Sequence, residues 1–134
     1  MASSLDGTRA AQVVDAILAT TTLTASTSGV HLRQMTTQGS ATANGTELAT
    51  SGGYTQGTGA PTLTFAAAST TTGQAASNSA VTITNMPATT INAVEVWDSN
   101  ATPKRQAQGS ITPKTTASGD TLSYASGAVT LTVL

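Results

Sequence analysis

From Gly29 onward the chain alternates apolar and polar positions: Val30 and Leu32 with His31 and Arg33, then Leu63 with Phe65, Val81 with Ile83, and Val94 with Val96. A period of two is the mark of a β-strand that turns one face to a core. Leu122 and Tyr124, followed after Ser126-Gly127 by Val129, Leu131 and Val133, read as a hairpin. Turn formers fill the intervals, among them Asn44-Gly45, Ser51-Gly52-Gly53, residues 57–61, 69–79 and 98–103. Short strands separated in this way predict an all-β fold over residues 29–134, an antiparallel β-sandwich or small barrel of jelly-roll or Ig-like type.

Residues 1–28 follow another period. Ala10, Val13, Val14, Ile17 and Leu18 recur at three- and four-residue spacing, with Arg9, Gln12 and Asp15 between them. This predicts one N-terminal amphipathic α-helix, capped by Ser3 or Ser4, favoured by Asp6 in its dipole, and ended by Thr20-Thr21-Thr22. Residues 20–28 then form a linker. An apolar stripe on a terminal helix must pack on its own sheet or on a neighbouring subunit, which makes Val13, Val14, Ile17 and Leu18 candidate interface residues.

Composition narrows the function. Charged residues are only 8% of the 134 and aromatics 3%, against roughly 25% charged in an ordinary soluble domain. Thr82, Thr84, Thr130 and Thr132 suit an outer strand face, because a β-branched side chain favours extended backbone and its hydroxyl meets water without charge. Hydrophobic content of 38% with a formal charge of -1 argues for a folded chain. Its few large apolar residues give a thin core, so contacts with copies of itself are expected. Five basic residues without a longer run than Lys104-Arg105 offer no field for nucleic acid. The absence of Cys removes disulfides and thiolate metal sites. No secretory leader or membrane span is read, so a soluble product made and kept inside the cell is expected.

Candidate chemistry is sparse. His31, the sole histidine, has apolar neighbours that place it on the face opposite the core, where a solvated or interface histidine is expected rather than a general base. Glu47 and Glu95 are the carboxylates available for an acid pair of the glycosidase kind. Asp98-Ser99-Asn100 lacks the glycine and distal glutamate of a calcium loop and reads as a turn. Asp120 after Gly119 reads as a turn residue that binds its own backbone. Tyr54 and Trp97 are candidate interface aromatics. Neither a catalytic constellation, a metal site nor a cofactor site is expected.

Several ordered segments resemble a family of small tailed-bacteriophage virion proteins, described as capsid decoration, minor tail or tail-fibre-like proteins. They run from Val30-His31-Leu32 and Gly45-Thr46-Glu47 through Ser51-Gly52-Gly53-Tyr54, Phe65-Ala66-Ala67-Ala68-Ser69 and Asn78-Ser79-Ala80-Val81-Thr82. They continue with Val94-Glu95-Val96-Trp97-Asp98, Ser118-Gly119-Asp120-Thr121-Leu122 and Gly127-Ala128-Val129-Thr130-Leu131. Thr55 stands where the family carries Arg, and the N-terminal helix lies outside its pattern. The resemblance implies a compact β-sandwich attached to a virion, without catalysis. The expected partners are the major capsid protein and copies of the chain itself, with neither nucleic acid nor membrane, and the expected location is the capsid surface after synthesis in the host cytoplasm. The alternative is a tail-tip or fibre-associated module that recognises a host-surface glycan.

Overall fold

The computed structural model describes residues 2–18, 22 and 29–132. Among these residues ten strands in antiparallel sheets, one α-helix near the N-terminus and a short 3-10 helix (Gly57–Gly59) make up the regular structure, the all-β class that the alternating pattern implies. The principal sheet runs in the order β1 (Ala2–Leu5), β8 (Arg105–Thr116), β7 (Thr89–Asp98), β2 (Val30–Thr37) and β3 (Thr46–Glu47). The short β4 (Thr62–Leu63) pairs with the start of β2. A second layer is built from two antiparallel pairs, β5 (Gln74–Ala76) with β10 (Thr130–Thr132) and β6 (Val81–Met86) with β9 (Asp120–Tyr124). A bridge between Phe65 and Ser77 carries the chain after β4 across to that layer.

Register explains how each strand divides its side chains. Leu32, Val96, Ala107 and Leu5 stand in one cross-strand row, and Arg33, Glu95 and Gln108 in the next. Adjacent rows point to opposite faces of a pleated sheet. Leu32, Val94, Val96 and Ala107 join Val81, Ile83, Leu122, Tyr124 and Val129 of the second layer in the hydrophobic core. The other face is covered as well, by the loop of residues 38–45, the segment of residues 57–60 and the start of α1 (Gly7–Ile17). Strand β7 is therefore buried on both sides, apolar toward one and charged toward the other.

Four expectations change. The first residues form a strand paired with β8 and not a helix cap, so the segment of residues 2–5 belongs to the sheet and not to a separate appendage. Residues 122–124 and 130–132 do not make a hairpin with one another: β9 pairs with β6 and β10 with β5, and the turn between them docks on Ser77, whose hydroxyl accepts the Gly127 and Val129 N–H groups. Val133 lies outside the described residues, as does the linker of residues 20–28 apart from Thr22. His31 faces away from the apolar core as expected, yet it is buried, with Nδ1 donating to the Ala60 carbonyl at 2.8 Å, because the segment of residues 57–60 folds over it. Tyr54 is likewise interior, at 1% exposure.

The Ser51-Gly52-Gly53-Tyr54 turn shows why two glycines precede that tyrosine. Gly52 adopts φ +58, and the Gly53 N–H donates to the Asn85 carbonyl at 2.8 Å, which lays the turn flat against β6. A Cβ on Gly53 would collide with the Thr84 carbonyl. Gly53→Ala is thus expected to cost at least about 3 kcal/mol through overpacking and a displaced Tyr54. Gly119→Ala, at φ +92 with open space around it, is expected to cost only about 1 kcal/mol. Urea unfolding of the two variants checks the contrast, and equal losses would contradict it.

Candidate functional site

The charged face of the sheet centres on Arg105. Its Nε and Nη2 donate to Asp6 at 3.1 and 2.7 Å, and its Nη1 donates to Glu95 at 2.9 Å. The carbonyls of Ala43 and Ser40 accept the remaining two N–H groups at 2.8 and 2.6 Å. All five guanidinium donors are satisfied. Burial alone would lower its affinity for the proton, but the hydrogen bonds and charges of Asp6 and Glu95 outweigh burial and hold its pKa above the ordinary arginine value.

Glu95 is fully buried and passes the constraint on. Its Oε1 also accepts the Gly45 N–H at 2.7 Å, and its Oε2 accepts the Trp97 indole N–H at 2.9 Å. The Arg33 guanidinium lies 4.0 Å from the Trp97 ring and pairs with Glu47 at 3.3 Å. Glu47 in turn accepts the Tyr54 hydroxyl at 2.7 Å, while that hydroxyl accepts the Gln34 N–H. The Tyr124 hydroxyl donates to the Gln34 side chain at 2.7 Å. Burial pushes both phenols up; at Tyr54 the Gln34 N–H draws the value back and Glu47 raises it further. Glu47 and Glu95 are thus occupied by structural donors, and neither lines the cleft described next.

That cleft, about 410 Å³, opens where α1, the loop of residues 38–45 and the turn between β7 and β8 meet. Asp6, Arg9 and Arg105 line it together with Trp97, which is half-buried. Thr42 and Asn44 form one rim, Pro103 and the exposed Lys104 the other. A neighbouring recess of about 290 Å³ shares Arg9 and Lys104 and adds Gln12 and Asn100. Arg9 reaches Asp98 at 3.1 Å, and Asp98 also takes the Lys104 N–H and the Gln106 amide. Asp98 is therefore the hub of a tight turn, as its sequence context implies.

Of the two packings open to the helix, its own sheet or a neighbouring subunit, the apolar stripe does not take the first. Arg9 is buried, Gln12 and Val13 are half-buried, and Val14, Ile17 and Leu18 stand 55%, 78% and 65% exposed. These three are the exposed large hydrophobic side chains among the described residues. Of the sequence candidates, Val14, Ile17 and Leu18 form one outward surface bordered by Val13, Trp97 lies separately in the cleft, and His31 and Tyr54 are withdrawn into the interior, which removes them as interface residues. Sequence reasoning missed Arg9, Arg105, Asn44 and Lys104 as site residues. The available signal was scarcity, because in a chain with so few charges an Arg beside an apolar strand position is paired. Comparison with protein-family models, with curated proteins and with solved structures gave no match.

Two outcomes follow. Arg105→Leu would strand Asp6 and Glu95 in the interior and is expected to lower stability by about 3–5 kcal/mol, measured by urea unfolding; a loss under about 1 kcal/mol would contradict a dominant ion network. Unfolded tyrosine ionises near pH 10, whereas both native phenols titrate higher. Above about pH 10 the unfolded chain therefore releases protons that the native chain keeps, and stability that is complete below that pH falls as pH rises, by up to about 1.4 kcal/mol per pH unit for each tyrosine. Tyrosinate absorbance should rise only together with cooperative unfolding, and independent titration of the folded chain at the ordinary value would contradict the burial.

Proposed function

We propose that the chain is a structural protein of a tailed-bacteriophage virion, a capsid decoration (minor capsid) protein that binds the head shell and stabilises it without catalysis. The observation that carries this reading is the outward apolar surface of Val14, Ile17 and Leu18, on a helix fastened by Arg9–Asp98 and by the Gly7 N–H to the Ala41 carbonyl. An apolar face held on a charge-poor body is suited to repeated contacts on a symmetric shell. The resemblance in ordered segments supplies the virion context. A tail-tip module that recognises a host glycan is the second reading, favoured by the Trp97 cleft; Tyr54 and Tyr124 are buried and offer it no further platform.

Quantifying the chain in purified particles separates these readings. Copies on the order of hundreds per particle, as icosahedral decoration demands, are expected; a handful would move it to the tail, and absence from particles would overturn both. Ile17→Asp combined with Leu18→Ser should leave stability within about 0.5 kcal/mol, since both sites are exposed. The same pair should weaken binding to undecorated shells by at least about tenfold, the equivalent of 1.4 kcal/mol, in a sedimentation assay.

A further inference from the structure

We propose that the cleft between α1, the loop of residues 38–45 and the β7–β8 turn binds a saccharide that carries a single carboxylate. The Trp97 indole is a fixed plate. Its N–H is engaged by Glu95, and Arg33, which does not line the cleft, packs on the ring. What the indole offers a ligand is apolar surface with no free donor, matched by the C–H face of a sugar ring.

The rims supply the complementary polarity. Thr42, Asn44 and Asn100 carry hydroxyl and amide groups that both donate and accept, the pattern that neighbouring sugar hydroxyls require. Charge then selects within the saccharides. Arg105 is balanced by Asp6 and Glu95, and Arg9 by Asp98, whereas Lys104 is exposed and its ammonium is in no ion pair among the described residues. One available positive charge beside balanced pairs suits one carboxylate. A phosphate dianion would call for several converging cations or backbone N–H groups. The volume of about 410 Å³, extended by the recess of about 290 Å³ that shares Arg9 and Lys104, falls in the range of about 300–1,000 Å³ typical of ligand sites.

Binding here does not depend on whether the chain sits on the head or the tail, so its test is separate from the count of copies in particles. Trp97 is the sole tryptophan, and its emission reports on the cleft directly. The full chain is titrated with galacturonate, a sugar acid with one carboxylate, with its uncharged methyl ester and with inorganic phosphate. A saturable change is expected with galacturonate at a Kd on the order of 0.1–1 mM, typical of a shallow site with few contacts. The ester should bind at least about tenfold more weakly, as expected for the loss of one charged contact. Lys104→Ala, at an exposed position, should lose the same factor for the acid and leave the ester unchanged, and Asn44→Ala should weaken both. Thermal unfolding confirms that each variant is folded. No saturable response to galacturonate, equal binding of acid and ester, a tighter response to phosphate, or a Lys104→Ala chain that binds like the parent would each overturn the proposal.

Discussion

The Arg105 guanidinium sits in the interior with all five donors engaged, and it fixes the positions of three separate parts of the chain. Asp6 brings in the junction of β1 and α1, Glu95 the middle of β7, and the Ser40 and Ala43 carbonyls the loop that closes over the sheet. Removing a guanidinium from water costs several kcal/mol unless geometry and hydrogen bonding replace the lost hydration. The arrangement is therefore exacting: a displaced partner leaves a buried charge unsatisfied. Trp97 inherits its orientation from the same source, because the carboxylate that meets Arg105 also holds the indole N–H.

This placement of charge accounts for the quiet exterior. Arg9, Arg33 and Arg105 are drawn into pairs with Asp6, Glu47, Glu95 and Asp98, and all seven are half-buried or buried. Few charges then remain for the surface, where Thr82 and Thr84 point outward from β6. One face of the main sheet is packed by apolar side chains against the second layer. The other is packed by ion pairs that run from Arg105 through Glu95, Trp97 and Arg33 to Glu47, and Glu47 reaches round to the Tyr54 hydroxyl at the margin of the apolar core. A chain with little apolar bulk thus closes two interiors around one sheet, only one of them hydrophobic.

The alternating pattern located β2, β6, the centre of β7 and β9, because there one face meets the apolar layer and the period of two survives. It failed at β8, the longest strand, where Gly109 and Pro113 interrupt a run of polar residues. Pairing with β7 on one side and β1 on the other makes that segment extended, and such long-range partners leave no local trace. The false hairpin after Tyr124 had the right turn residues, but Ser77 captures the turn and sends the two strands to different partners. His31 and Tyr54 were misjudged for different reasons. A polar residue opposite an apolar row, such as His31, is read as solvated, whereas here the segment of residues 57–60 folds over it; Tyr54, read as an interface aromatic, is carried by its turn into the apolar core. The cleft shows the same limit: Asp6, Asn44, Trp97 and Lys104 converge only through tertiary packing.

The outward stripe of α1 follows from the character of the surface beneath it. A helix with one apolar and one polar side buries whichever side its neighbour can satisfy. The neighbour here is the end of β7, with a fully buried carboxylate at Asp98. Had Val14 and Ile17 turned inward, Asp98 would have lost the Arg9 guanidinium at a cost of about 3–5 kcal/mol, more than the roughly 1.5–3 kcal/mol that burial of one aliphatic side chain contributes. Several such side chains would exceed that cost, yet only against an apolar receptor, and the sheet presents its apolar face to the second layer instead. The stripe stands in solvent because, among the described residues, no apolar surface is turned toward it. The free energy of covering Val14, Ile17 and Leu18 therefore remains available to whatever apolar surface docks there, with the helix already ordered and anchored through its first two turns.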